Sequence, residues 1–361
     1  MSAKIRSKKK KSSEPPSLIP SLPEDIILDI LARVESCYYP TLSLVSKHFR
    51  SLVTSHELAE RRSLLGCKEH RLYVALFNIR NCNQQLYSLR EKANGSHRLF
   101  LVPSVLKTPF NVSFVAVGSS IYVFSKFDSI PPERISAKCS SQRMGMHTLP
   151  GMNVTMYVSF AYFMDGKIYV NGYSDKPLER VMAVFNIETQ VWEPKKELPD
   201  TVRSGYKWND ECVVMAGKMY TRDPDNRNIV YVYEPKENKW ERDNMLNRFN
   251  WEDGCVVGDV LYYFDGKVLR AYDPKERKWL VVNGLEELVA ETRFSRVYTT
   301  GSCGGKLVLF FSKDRRIVIW CAQISLERRH QGSEIWGKVE WCEDVLVGGG
   351  FYALKSLDVI V

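Results

Sequence analysis

One unit recurs along the chain, and a recurring unit limits the fold more sharply than any average property. A clear copy reads Asp165-Gly166-Lys167-Ile168-Tyr169-Val170, then Phe185-Asn186-Ile187-Glu188-Thr189-Gln190-Val191-Trp192. The next reads Ala216-Gly217-Lys218-Met219-Tyr220, then Tyr233-Glu234-Pro235-Lys236-Glu237-Asn238-Lys239-Trp240. A third reads Gly258-Asp259-Val260-Leu261-Tyr262, then Tyr272-Asp273-Pro274-Lys275-Glu276-Arg277-Lys278-Trp279. Weaker copies begin at Gly118-Ser119-Ser120-Ile121-Tyr122-Val123 and at Gly304-Gly305-Lys306-Leu307-Val308-Leu309, with Trp320 and Trp336 beyond. Glycine before the first strand marks a tight turn that tolerates positive φ. The later aromatic ends a strand, proline presets the turn, and charged residues form the hairpin tip. Trp then returns on an outer strand as a large wedge.

A period near 40–50 residues, mostly strand, is the signature of propeller blades. The β-rich texture runs over residues 70–361, which at about 45–50 residues per blade predicts an all-β propeller of six blades, with five or seven left open. The last run, Phe351 to Val361, alternates like a strand and is expected to close the ring against the first blade. Closure removes the exposed edges that an open sheet would leave. The repeated aromatics are read as inter-blade packing rather than a ligand cage.

Ahead of the repeats, residues 18–65 form a small all-α unit. Ser21-Leu22-Pro23-Glu24 has capping-box spacing with proline in the first turn. Ile27, Ile30, Leu31 and Val34 then share one helical face. Tyr38-Tyr39-Pro40 interrupts, Thr41 is placed to cap a second helix carrying Leu42, Val45, Phe49 and Leu52, and Ser55 a third. Three short helices make a poor independent core, so an exposed apolar face needs cover from elsewhere.

The stretch Ser21-Leu22-Pro23-Glu24-Asp25-Ile26-Ile27, followed by Ile30-Leu31-Ala32-Arg33-Val34 and Leu44-Val45-Ser46-Lys47-His48-Phe49-Arg50-Ser51-Leu52, resembles an F-box. The repeat region resembles kelch, in the form seen in plant F-box/kelch proteins. It departs from that pattern in its paired glycines, which survive only as Asn171-Gly172 and are missing after Tyr220. The F-box resemblance implies docking to the Skp-type adaptor of a Skp–cullin–F-box ubiquitin ligase. Carried over, the adaptor-facing positions are Leu22, Pro23, Ile27, Ile30, Leu31, Val45, Ser46, Lys47 and Phe49, some of which must instead pack the unit's own core.

Charge says little about the repeats. The formal net charge is +9, and most of the surplus sits in residues 1–17, as Lys4, Arg6 and Lys8 to Lys11 against Glu14. That tail is expected to be disordered, as a nuclear-import signal, an electrostatic tether or a solvated extension. The balanced remainder gives no case for nucleic-acid binding. No apolar run reaches membrane-spanning length, and no apolar stretch follows the basic start as in a secretory signal. Nine cysteines without a CxxC suit a reducing cytoplasmic or nuclear setting.

Catalytic motifs are thin. Gly301-Ser302-Cys303-Gly304-Gly305-Lys306 invites a phosphate-loop reading, but its glycines are one residue too close and Leu307 stands where Ser or Thr should bind magnesium. Cys67, His70, Cys82 and His97 are spaced too irregularly for zinc. Neither cofactor, metal nor catalytic residue is expected. The reading is a non-enzymatic substrate receptor: the F-box holds adaptor and cullin while propeller loops capture a target protein. The alternative is a kelch scaffold or regulatory binding protein working outside a cullin ligase.

Overall fold

A computed structural model describes residues 22–92, 94–102, 108–109, 112–125, 133–136, 145–174, 179–194, 196, 198, 212–223, 229–292, 296–313, 318–348 and 350–361. The basic tail and Ser21 lie outside the described residues. The chain divides between Cys67 and Lys68 into two compact units.

The first unit is helical: α1 (Glu24–Arg33), a 3-10 turn (Ser36–Tyr38), α2 (Tyr39–Leu42), α3 (Lys47–Leu52) and α4 (His56–Leu64). Two starts differ from the sequence expectation. Pro23 stands at the N-cap of α1 rather than inside its first turn. The middle helix is split, because Ser46 Oγ accepts the Phe49 N–H at 3.1 Å and starts a new helix where Thr41 was expected to start a single one. Ser55 caps α4 as expected, accepting from the Leu58 N–H at 3.2 Å.

The second unit is built from strands. The first blade holds β1 (His70–Asn78), β2 (Asn83–Glu91) and β3 (His97–Leu101), with short β4 (Thr108–Pro109) added to β2. The second blade is β5 (Val112–Val117), β6 (Ser120–Ser125), β7 (Glu133–Ser136) and β8 (Gly145–Thr148). The third is β9 (Tyr157–Met164), β10 (Lys167–Tyr173), β11 (Arg180–Asn186) and β12 (Val191–Trp192). The fourth is β13 (Cys212–Met215), β14 (Lys218–Arg222), β15 (Val230–Glu234) and β16 (Lys239–Arg242). The fifth is β17 (Cys255–Val257), β18 (Val260–Phe264), β19 (Leu269–Asp273) and β20 (Lys278–Asn283), followed by α5 (Glu286–Thr292). The sixth is β21 (Arg296–Cys303), β22 (Lys306–Ser312), β23 (Val318–Arg329) and β24 (Glu334–Val347).

The last strand, β25 (Phe351–Ile360), returns to the first blade and pairs antiparallel with β1 from His70↔Ile360 to Asn78↔Phe351. It supplies that blade's innermost strand. The six innermost strands β25, β5, β9, β13, β17 and β21 neighbour one another in that order, and β21 meets β25 again. The described residues therefore form a closed ring of six blades, as expected.

Hydrophobic packing follows the ring. Six buried clusters fill the six spaces between successive blades. Phe185 and Trp192 join Val115 and Phe124 of the preceding blade, and Tyr272 joins Val213 and Val232 of its own preceding blade. Because each blade is covered on both faces, strands such as β1 are buried almost continuously instead of alternating.

The recurring sequence unit is now explained. Asp165-Gly166, Ala216-Gly217, Gly258-Asp259 and Gly304-Gly305 all have positive φ at both positions, as two-residue turns matching strand twist require. Phe185↔Trp192, Tyr233↔Trp240 and Tyr272↔Trp279 are directly opposed across neighbouring strands, with ring centroids 5.1, 4.8 and 5.0 Å apart. Trp192 and Trp279 also donate Nε1–H to the carbonyls of Pro150 and Met245, residues leading into their blades. Burial is greater at the first aromatic of each pair: Tyr233 and Tyr272 are fully buried, while Trp240 and Trp279 are half-buried. Gly172 serves close approach, since a Cβ there would lie 2.2 Å from the Tyr157 carbonyl, beside a register shift between β9 and β10. β13 and β14 pair without such a shift, and that blade manages without the glycine pair.

Candidate functional site

In the helical unit, α1 opens with Glu24 and Asp25, charges suited to the positive end of a helix dipole. Its inward side carries Leu28, Leu31 and Ala32. Ile30, expected on that side, is exposed, and Ile27 and Val34 are half-buried. Apolar residues occupy both sides of this helix, so spacing alone misplaced the inward stripe by about one position.

A buried arginine ties the unit together. The Arg62 guanidinium of α4 donates to the carbonyls of Ala32 and Val34 at 3.2 and 2.9 Å and to the Tyr39 hydroxyl at 2.9 Å. Tyr39 OH donates in turn to the Leu31 carbonyl at 2.9 Å. The end of α1 thus presents its unpaired carbonyls to a cation, as its dipole favours. Asp29 and Arg61 make a further contact between the two helices at 2.8 Å.

The nine expected adaptor-facing residues sort by exposure. Leu22, Pro23, Ile30, Val45, Ser46 and Lys47 are exposed, and Ile27 and Phe49 are half-buried. Leu31 is corrected: at 2% exposure it belongs to the unit's own core. Ser46 is exposed, with its hydroxyl engaged in capping α3. Ile26 and Leu44 are exposed as well, the latter at 77% beside Val45 at 61%. Both lie inside the quoted motif, so their apolar character was visible there but their outward position was not. The outcome is an apolar surface on a unit with few buried side chains.

Among the described residues, no group of three or more His, Cys, Asp or Glu is placed to hold a metal. The four Cys and His residues considered for zinc do not converge: His70 Nδ1 meets Asp358 at 2.8 Å, and the His97 ring stacks on Trp341 at 4.0 Å. Gly304-Gly305 is the turn between two strands, with no helix following, so it cannot cradle phosphate as a phosphate loop does. Burial pushes the Cys255 and Cys303 thiols up to about 12, which keeps them protonated and unreactive at neutral pH.

Two rims bound the ring. Tight turns between first and second strands share one rim with the third-to-fourth hairpins, and the remaining connections share the other. A cleft of about 340 Å³ lies on the tight-turn rim, lined by Asp273, Lys275, Lys278, Arg328 and Ser333 among others. Its central pair is a brace: Arg328 donates to the buried Asp273 carboxylate at 2.7 Å, which also accepts from the Lys275 and Glu276 N–H groups. Burial alone would raise the Asp273 pKa, but these hydrogen bonds outweigh it and hold the carboxyl below its usual range.

Comparison with known families decides the assignment. Residues 77–346 match the FKB95 kelch-repeats domain, and residues 19–61 match the F-box domain. The chain belongs to the F-box/kelch-repeat family. Among its relatives in Arabidopsis thaliana is F-box/kelch-repeat protein At4g38940, 40% identical with 99% of this chain and 98% of that protein covered. F-box/kelch-repeat protein At4g39590 is 35% identical, covering 98% of this chain and 94% of the relative. F-box/kelch-repeat protein At5g39560 is also 35% identical, at 94% and 92% coverage. Membership rests on both units, since the matches span the helical module and nearly the whole ring.

Proposed function

We propose that this F-box/kelch-repeat chain is the substrate-recognition subunit of a Skp–cullin–F-box ubiquitin ligase. The observation that carries the reading is the apolar surface of the helical unit, where Leu22, Ile26, Ile30, Leu44 and Val45 stand exposed. Exposed apolar side chains of this density mark a protein-docking surface. Leu22, Pro23, Ile27, Ile30, Val45, Lys47 and Phe49 are assigned to the adaptor interface, and loops on one face of the propeller to capture of a target protein.

The chain supplies no nucleophile in this scheme. It raises the effective concentration of a target lysine near a ubiquitin-charged enzyme held by the same complex. Among the described residues no helix is long and apolar enough to cross a membrane. Residence in cytoplasm or nucleus follows from the partners, with Lys8 to Lys11 as the import signal.

A pull-down with adaptor and cullin, comparing wild type with Leu22→Ala/Pro23→Ala, tests the reading. Recovery of both partners by wild type and its loss in the double variant, with propeller stability unchanged, is the expected result. A folded wild type that recovers neither partner would leave a kelch scaffold acting outside a cullin ligase.

A further inference from the structure

The innermost strands carry almost no charge. β5, β9, β13 and β17 have no ionisable acid or base other than cysteine and tyrosine, and β21 has only Arg296 at its first position. On β25 there are two charges, Lys355 and Asp358. Asp358 is engaged toward the tight-turn rim, accepting the Gly304 N–H at 2.9 Å and meeting His70 at 2.8 Å. It lies three residues from Lys355 and so on the other side of the strand.

Lys355 stands at mid-strand, the fifth of ten residues in β25. Its neighbours two residues away, Ala353 and Leu357, are buried between blades, yet Lys355 is exposed. A β-bulge accounts for the difference. β1 pairs Ala75 with Lys355 and Leu76 with Ala353, leaving Leu354 as the extra residue. Such a bulge re-aims the adjoining side chain.

Solvent reaches Lys355, yet surrounding protein lowers its pKa by desolvation. Exposure and enclosure coincide for a side chain lining the channel at the centre of the ring. The Cys212 thiol, within electrostatic reach, agrees: it lies on β13 of the fourth blade, directly opposite the first in a ring of six. Among the described residues, no carboxylate pairs with Lys355.

We propose that the central channel is a carboxylate-binding site anchored by Lys355. An enclosed ammonium without an acid partner is stabilised by an incoming anion. One ammonium neutralises one charge, so a monoanionic carboxylate fits, whereas a phosphate dianion would bring a second charge that this ammonium leaves uncompensated. The carboxylate comes from a free small acid or from a protein. The second source rests on the receptor reading, and the channel test is independent of adaptor binding.

The experiment titrates acetate into the full chain, as wild type, Lys355→Met and Lys355→Arg, following the protein by NMR. A parallel series uses the tripeptide Gly-Gly-Glu. Saturable acetate binding in wild type, at least tenfold weaker in Lys355→Met and retained in Lys355→Arg, is expected. Tripeptide binding at least tenfold tighter than acetate assigns the site to a protein-borne carboxylate, and equal or weaker binding assigns it to a free acid. No saturable acetate binding to the folded wild type, or equal binding to a folded Lys355→Met, overturns the proposal. Melting temperature establishes folding in each case, and Lys355→Met should melt no lower than wild type.

Discussion

The helical unit and the propeller are stabilised by different means. The propeller repeats one solution six times: a two-faced sheet whose aromatic side chains fill the space toward the preceding blade. Its core is large, apolar and shared around a closed ring. The helical unit has a handful of buried side chains and relies on one buried cation, Arg62, to join the C-terminal end of α1, the Tyr39 hydroxyl and α4. Much of its apolar surface faces outward. The difference shows where each region can afford specificity: the ring tolerates change at its rims, while the small unit holds little in reserve against loss of its central contact.

The sharpest way to break this contrast is Tyr233→Ala. Tyr233 is fully buried, opposes Trp240, and its hydroxyl accepts from Lys196 Nζ at 2.8 Å. Truncating such an aromatic should destabilise the propeller by about 3–5 kcal/mol. Denaturant unfolding checks this, and a helical unit that melts as before would show that the two regions are held separately. An unchanged propeller midpoint would mean that the aromatic pairs are not the source of ring stability.

Arg62→Met comes next, because it removes a buried cation from three acceptors. We expect a loss of about 2–3 kcal/mol, the range for charged hydrogen bonds, felt in the helical unit alone. Limited proteolysis of residues 22–66 should accelerate while the propeller transition stays in place. Equal protease resistance in the variant and wild type would remove the arginine from its assigned role.

Smaller effects sharpen the picture. Ser46→Ala removes the N-cap of α3 and should cost about 1 kcal/mol, read from the stability of the helical unit. If stability is unchanged, the break between α2 and α3 is not set by that cap. In the propeller, Asp273 gives a pH-dependent counterpart. Its carboxyl is held below its ordinary value, so its contribution is present above about pH 4 and fades as acid protonates it. Asp273→Asn should therefore flatten the acid limb of propeller stability by up to about 1 kcal/mol, since Arg328 is partly exposed. A variant as acid-sensitive as wild type would assign that limb to other carboxylates.

Some features were legible without coordinates because they depend on neighbours in sequence. The Asp-Gly and Gly-Gly turns follow from backbone sterics, and Ser55 caps its helix through a hydroxyl three residues from its partner. The aromatic pairs and the returning strand β25 were also visible, since repetition turns long-range contacts into a recurring local pattern. The inward side of α1 was not legible. Leu28 and Leu31 compete with Ile26 and Ile30 on a helix that carries apolar residues on more than one side, and only the position of α4 selects between them.

The sequence by itself determined that a small helical module precedes a β repeat of propeller type, because period and turn chemistry are properties of a chain segment, while the count of six blades came from the strand pairing of the folded ring. Tertiary structure decided which residues the folded chain leaves open. Leu31 turned inward, Leu44 remained exposed, and Lys355 stayed exposed beside a bulge on the innermost strand of its blade. Exposure depends on what packs against a residue from distant parts of the chain, and no local pattern contains that information.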